Sequence, residues 1–190
     1  MSLFDTPFEK VRYFGHTFLQ EQISFKNRIH NLHYEKFQDG TVKCIEDEIP
    51  FDVPEGWEWT RLESIISLSS GKAIKVRQLT DEGDYPVYGG NSINGMYSDY
   101  NVEPETIVIG RVGFYCGSVY KTMSKSWVTD NALIATIKTP NIFDIDFLLS
   151  ILTYLNLGKT SVSTAQPVVS GKGILPFPYL LSCPYTVKNS

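Results

Sequence analysis

From residue 57 to about residue 181 the chain is cut into short apolar runs, at 59–62, 85–88, 106–109, 118–121, 127–129 and 133–137, by glycine, asparagine, aspartate and proline. That punctuation is the tightest constraint in the sequence. Runs this short cannot bury a helical face, and with turn residues at every break they read as strands joined by tight connections. An aromatic share of 13%, carried mainly by 11 Tyr and 11 Phe, suits the packing faces of sheets. One helix interrupts the pattern: Asp144 or Asp146 caps a segment from Phe147 to Leu155, with Gly158 as its stop.

The first 54 residues read differently. Thr6 is placed as an N-cap and Pro7 at the first position of a helix that runs to about Gln38 and stops at Asp39-Gly40. Val11, Phe18, Phe25 and Leu32 recur every seven residues, as one seam of a packed helix would. The companion positions hold Phe14, Glu21, Arg28 and Glu35, so a long autonomous coiled coil is not expected. The helix is expected to lie on its own domain or on a sister chain. Residues 41–54, acidic and carrying two prolines, read as a linker.

Composition narrows the function. A chain of 190 residues with 42% hydrophobic content holds one ordinary domain and an appendage. No apolar stretch approaches the roughly 18 residues of a membrane span, and residues 1–10 lack a basic-then-apolar leader, so a cytoplasmic protein is expected. Cys44, Cys116 and Cys183 are too dispersed for a disulfide framework or a metal site. His30 and His33 are i, i+3 on the expected helix and could share a metal, but no third ligand is evident and two solvated histidines are the plainer reading. Neither a cofactor nor a metal is expected. The Gly-x-Ser-x-Gly elbow, His-Glu-x-x-His helix and phosphate-binding glycine loops are all missing. Asp81, Glu82, Asp84, Asp99, Glu103, Glu105 and Asp130 are scattered through turn-like sequence and read as solvated loop residues. A formal charge of -4 argues against a lone duplex binder, although Gly71 to Arg77 is a glycine-led basic segment.

Four segments could carry binding chemistry. Residues 85–97 form a strand followed by a loop rich in glycine and asparagine, with Tyr88, Asn91 and Asn94. Its amides suit an adenine edge, and the alternative is a hairpin turn. Residues 106–113 place Arg111 between Gly110 and Gly113 at a strand end, where a guanidinium could meet guanine or phosphate. The alternative there is a bulged edge with a solvated arginine. Residues 127–133, with Asn131, and 164–170, with Gln166 held extended before Pro167, end in amides and hydroxyls beside apolar runs. Either could equally be a turn.

The order of these segments resembles the target-recognition domain of type I restriction-modification specificity subunits. The resemblance runs through Pro54-Glu55-Gly56-Trp57-Glu58-Trp59-Thr60-Arg61-Leu62, Gly71-Lys72, the phrase from Tyr85 to Gly95, that from Ile107 to Gly113, Trp127 to Ala132, and Ala165-Gln166-Pro167. It spans residues 49–181, and six phrases in order are specific where one alone is weak. It implies an α+β fold: a twisted, mainly antiparallel β target-recognition domain with a few helices, preceded here by the amino-terminal helix. The expected domains are an amino-terminal helical arm at 1–40, the linker at 41–54, a DNA target-recognition domain at 55–181 and a tail at 182–190. By the same resemblance the chain has no catalytic residues. It reads half of a split duplex target for partner modification and restriction subunits. Lys72, Lys75 and Arg77 are placed on phosphates, and Tyr88, Asn91, Asn94 and Arg111 nearer the bases, with Asn131 and Gln166 as further DNA contacts. The chain departs from the family in lacking the proline-led distal helix after residue 181. The departure points to a truncated product or to a half-subunit that dimerises through its amino-terminal helix. A remnant that binds protein partners and no DNA is the alternative.

Overall fold

The computed structural model describes residues 22–27, 32–37, 39–52, 57–138, 144–161 and 167–182. The chain divides into two compact units, one ending at Glu48 and the other beginning at Ile49.

In the first unit, β1 (Gln22–Asn27), β2 (Leu32–Phe37) and β3 (Val42–Cys44) form a three-stranded antiparallel sheet in that order. This corrects the expected helix over residues 22–37. Phe25 and Leu32, read as rungs of a seven-residue seam, sit on separate strands whose register pairs Phe25 with Tyr34 and Asn27 with Leu32. Asp39-Gly40 is a hairpin turn rather than a helix stop: Gly40 has φ +85°, and the Thr41 backbone N–H donates to Asp39 Oδ1 at 2.8 Å. An Asp-Gly pair between strands favours this geometry, because only glycine enters the left-handed region without strain. Val42 to Cys44, expected in the linker, pair with β2. His33 is not solvated. It is 6% exposed, and both its backbone N–H and its ring Nδ1 meet Glu46 Oε2, at 2.7 and 2.9 Å. His30 and residues 1–21 lie outside the described residues, so the sister-chain contact expected of the helix has no helical element over residues 22–37 to carry it.

The second unit is built on a four-stranded sheet of order β5-β11-β8-β9. Its strands are β5 (Ile66–Ser70), β8 (Ile107–Gly110), β9 (Val119–Lys121) and β11 (Ala132–Ile137), all antiparallel to their neighbours. Both faces of β8 are buried, which explains the unbroken apolar run Ile107-Val108-Ile109. Ile107, Ile109, Leu133 and Ala135 pack with Leu148 and Leu152 of α2 (Ile145–Tyr154) and with Leu62, Ile65, Leu157, Val169 and Ile174. Val108 and Ala132 point the other way, into a smaller cluster with Tyr88, Val102 and Val128. Those last residues belong to or flank a second sheet of order β10-β6-β7, formed by β6 (Tyr85–Gly89), β7 (Ser92–Tyr97) and β10 (Trp127–Val128). The β10–β6 pair is parallel.

A two-stranded clasp closes the unit. β4 (Trp57–Arg61) pairs antiparallel with β12 (Pro178–Ser182), and Arg61 Nη1 donates to the Pro176 carbonyl at 2.7 Å. Within the opening Gly-Trp-x-Trp phrase, Trp59 is therefore structural, being 5% exposed. Short helices α1 (Leu62–Ile65) and α3 (Gly171–Ile174) follow β4 and precede β12. The helix expected near residue 147 is α2, capped by Asp144, whose Oδ1 accepts from the Phe147 N–H at 2.8 Å. It stops one turn earlier than Gly158, where Asn156 takes a left-handed φ of +50°. No helix among the described residues is long and apolar enough to cross a membrane.

Removing the cap tests this arrangement. Asp144→Ala is expected to lower stability by about 1 kcal/mol, read as a shift of the urea midpoint with an unchanged slope.

Candidate nucleic-acid interface

Because β5, β8 and β11 alternate in direction, the C-terminal ends of β5 and β8 and the start of β11 lie at one end of the main sheet. Glycines let the connections at that end touch backbone to backbone. A Cβ on Gly71 would stand 2.3 Å from the Thr129 carbonyl oxygen, one on Gly90 2.6 Å from that of Val112, and one on Gly110 2.4 Å from that of Gly90. No side chain fits at such distances. Hydrogen bonds fix the same contacts: the Lys72 N–H donates to the Val128 carbonyl at 2.9 Å, and the Arg111 N–H to the Asn131 carbonyl at 2.9 Å. The Val169 N–H donates to the Arg111 carbonyl at 2.8 Å, and the Gly113 N–H to the Pro167 carbonyl at 3.1 Å. Trp127 Nε1 adds a bond to the Lys72 carbonyl at 3.1 Å. Five segments remote in sequence, around residues 72, 90, 111, 130 and 167, thus form one loop cluster.

Most of the side chains singled out in the sequence project from this cluster. Lys72, Lys75 and Arg77 are exposed on the connection after β5, a loop tied to β7 by Gln78 Nε2, 3.4 Å from Tyr97 Oη. Asn91 is exposed in the β6–β7 turn. The segment is thus a hairpin, and Asn94 lies on β7 itself, exposed, with its amide over Gly89 at the place a Cβ would occupy. The turn is closed by Ser92 in a left-handed conformation, φ +70°. Asn131 is exposed in the tight β10–β11 connection, with its N–H 3.4 Å from Thr129 Oγ1. Arg111 is half-buried at the end of β8. Gln166 lies outside the described residues, but the Pro167 carbonyl bond brings its neighbour to the cluster.

Tyr88 departs from its expected place near bases. It is 6% exposed and packs with Val102, Val108, Val128 and Ala132, because β6 is the central strand of its sheet and both of its faces are covered. Burial pushes its phenol above the ordinary tyrosine range.

Several lysines away from the cluster are paired. Lys43 pairs with Glu48 at 2.7 Å, Lys121 with Asp146, and Lys125 with Glu103 at 3.7 Å and the Tyr100 hydroxyl at 2.9 Å. The hydrogen bond to Asp146 and the charges of Asp146, Glu105 and Asp144 hold the Lys121 ammonium above its ordinary pKa. By contrast, the side chains of Lys72, Lys75, Arg77 and Arg111 make no ion pair or hydrogen bond among the described residues, a property shared outside the cluster by Lys159 and Lys172. The cations at the cluster are therefore available to an anionic ligand. Asp130, read in the sequence as a solvated loop carboxylate, stands exposed at the tip of the β10–β11 connection beside Asn131. Its position was hidden because no local pattern reveals that this turn meets the one after β8.

Residues 54–176 match the family described as "Type I restriction modification DNA specificity domain". The chain belongs to that family. The chain is 29% identical over 138 residues to the type I restriction enzyme EcoprrI specificity subunit of Escherichia coli, covering 70% of this chain and 32% of that protein. It is 39% identical over 51 residues to the EcoAI specificity subunit of Escherichia coli, covering 27% of this chain and 9% of that protein. The chain thus spans about a third of the length of the first of these relatives. Its fold is shared with the type I restriction-modification S subunit from M. genitalium, at a TM-score of 0.64 and 16% identity over 73% of this chain and 37% of that one. The HsdS subunit from Thermoanaerobacter tengcongensis aligns at a TM-score of 0.51 and 17% identity, over 70% and 34% of the two chains. The mainly antiparallel specificity-domain fold expected from the sequence is the one observed.

The core placement of Tyr88 gives a direct check. Tyr88→Ala is expected to cost about 3 kcal/mol of unfolding free energy, whereas Tyr88→Phe keeps the fold. The raised phenol pKa contributes stability that is present below the ordinary value of about 10 and lost as pH rises through the folded value. Unfolding curves followed through that alkaline window should therefore fall more steeply for the native chain than for Tyr88→Phe.

Proposed function

We propose that this chain is a sequence-reading DNA module that recognises one half of a split duplex target for a type I restriction-modification complex. The observation that carries the reading is the convergence of uncompensated cations and exposed amides on one backbone-locked cluster of loops, in a chain of the DNA specificity domain family. Phosphate contacts from Lys72, Lys75 and Arg77 set the register. Asn91, Asn94, Asn131 and Arg111 reach base edges, where amides suit adenine and a guanidinium suits guanine. Gln166, which lies outside the described residues, is carried as a further DNA contact by the family resemblance. Asp130 adds a reading of its own: a carboxylate there is repelled by phosphate, so this tip faces bases and accepts from a cytosine amino group.

The module performs no chemistry. Modification and restriction subunits supply methylation and cleavage, in the cytoplasm, where they meet duplex DNA. The chain's net charge of -4 fits this division of labour, since long-range attraction to the duplex comes from a larger assembly while the cluster acts at short range. Alone, the module is expected to hold non-specific DNA weakly, at about 10⁻⁴ M at physiological salt.

Charge reversal at Lys72, Lys75 and Arg77 tests the reading. In titrations of labelled duplex at several salt concentrations, affinity should fall at least tenfold, and the slope of log K against log salt should shrink by about one for each phosphate contact removed. Native-like DNA binding by the reversed chain would overturn it. Arg111→Ala separates roles within the site: a contact to guanine predicts relaxed preference at one position, worth about 1 to 3 kcal/mol, and a phosphate contact predicts uniform weakening.

A further inference from the structure

Phe114 is 89% exposed, the most exposed large hydrophobic side chain among the described residues. It is not on a loose loop. Gly113 takes φ +92° and Gly117 φ +85°, and the intervening turn is tied down by hydrogen bonds from the Cys116 N–H to the Gly113 carbonyl at 3.0 Å and from the Ser118 N–H to the Tyr115 carbonyl at 3.1 Å. The Gly117 N–H donates to the Gly110 carbonyl at 2.7 Å, and the Gly113 N–H to that of Pro167. At its far side Gly117 lies against Gly158, where a Cβ would meet the Gly158 nitrogen at 2.1 Å. Backbone bonds at both ends thus fix a turn whose apolar ring points to solvent. The ring meets that of Tyr115, itself 50% exposed, edge-on at 5.1 Å.

Scattered exposed apolar residues are ordinary on protein surfaces. This one stands three residues from Arg111, on the cluster that carries Lys72, Lys75, Arg77 and Arg111. The same juxtaposition recurs on two more of its loops: Val76, 83% exposed, stands between Lys75 and Arg77, and Ile93, 52% exposed, precedes Asn94. None of the three side chains can donate or accept a hydrogen bond, so none can read the polar pattern of a base pair. In the major groove the one apolar feature of that pattern is the thymine methyl group.

We propose that Phe114 is a specificity-determining residue that packs on thymine methyl groups in the major groove of DNA bound at this cluster. The inference rests on the DNA-reading function proposed above and extends it to the class of base read. The cluster then combines two kinds of readout: amide and guanidinium groups take the hydrogen-bonding edges, and Phe114 takes the methyl that marks an A·T pair. Fixing the turn in advance keeps the ring from losing backbone freedom on binding, which turns a weak apolar contact into usable discrimination.

Two randomised duplex libraries test this, one made with thymine and one with deoxyuridine in its place, which removes the methyl and leaves every hydrogen-bonding group. Mixed in equal amounts at low salt, they are partitioned over the native chain, Phe114→Ala and Phe114→Leu. The native chain should favour the thymine library by about fourfold, the value of burying one methyl group. Phe114→Ala should bind both libraries equally, and Phe114→Leu should keep most of the preference. Equal binding of the two libraries by the native chain overturns the inference and leaves DNA reading standing. So does a Phe114→Ala variant that loses affinity for both libraries alike, the mark of a ring that wedges between bases or packs on the backbone. Retention of neither library by the native chain, whether alone or mixed with a modification subunit, overturns DNA reading itself.

Discussion

Backbone-to-backbone contact between the β6–β7 turn and the segment leaving β8 is the constraint on which the candidate site depends. With Gly90 against Val112 and Asn131, and Gly110 against Gly90, no side chain separates these connections. Their relative positions are therefore set by peptide groups, which are stiff, rather than by rotamers, which are not. The Arg111–Asn131 and Val169–Arg111 bonds extend the same lock to the β10–β11 connection and to the segment after Pro167. Asn91, Asn94, Arg111 and Asn131 are mounted on this frame. A base-reading surface needs such a frame, since amide and guanidinium groups discriminate only when held within hydrogen-bonding reach of a particular edge.

The sheets below the frame supply its rigidity. β8 is buried on both faces between two hydrophobic clusters, and it delivers Gly110 and Arg111 to the end of the sheet. The clasp pairs β4 with β12, and buried Trp59 on β4 contributes stability there. Charge follows the same separation. Lysines along the sides of the unit, such as Lys121 and Lys125, are neutralised by neighbouring carboxylates, and those on the connection after β5 are not.

Much of this was legible in the sequence. Apolar runs broken by turn residues located β4, β6, β8, β9, β10 and β11, and the cap signal at Asp144 or Asp146 located α2. Polar residues beside glycines marked Lys72, Asn91 and Arg111, and an amide beside an apolar run marked Asn131. Three things were not legible, each for a physical reason. β7 and β5 carry Ser, Asn and Gly at exposed positions, so their pairing comes from neighbouring strands rather than from their own propensity. Tyr88 was read as a surface aromatic because a single strand does not reveal that it will be central and covered on both faces. The β1–β2 hairpin was read as helix because a seven-residue recurrence of Phe25 and Leu32 coincided with strand positions, and the Asp39-Gly40 turn signal served either interpretation.

The central claim is that this cluster reads DNA sequence. Its most direct test is selection from a pool of randomised duplexes, at low and moderate salt, by the chain alone and by the chain mixed with a modification subunit. The account predicts enrichment of one short motif, the half-site, with the sharper enrichment in the mixture. If no motif enriches in either arm even at low salt, the loop cluster is not a sequence reader and the DNA-recognition account of this chain is contradicted.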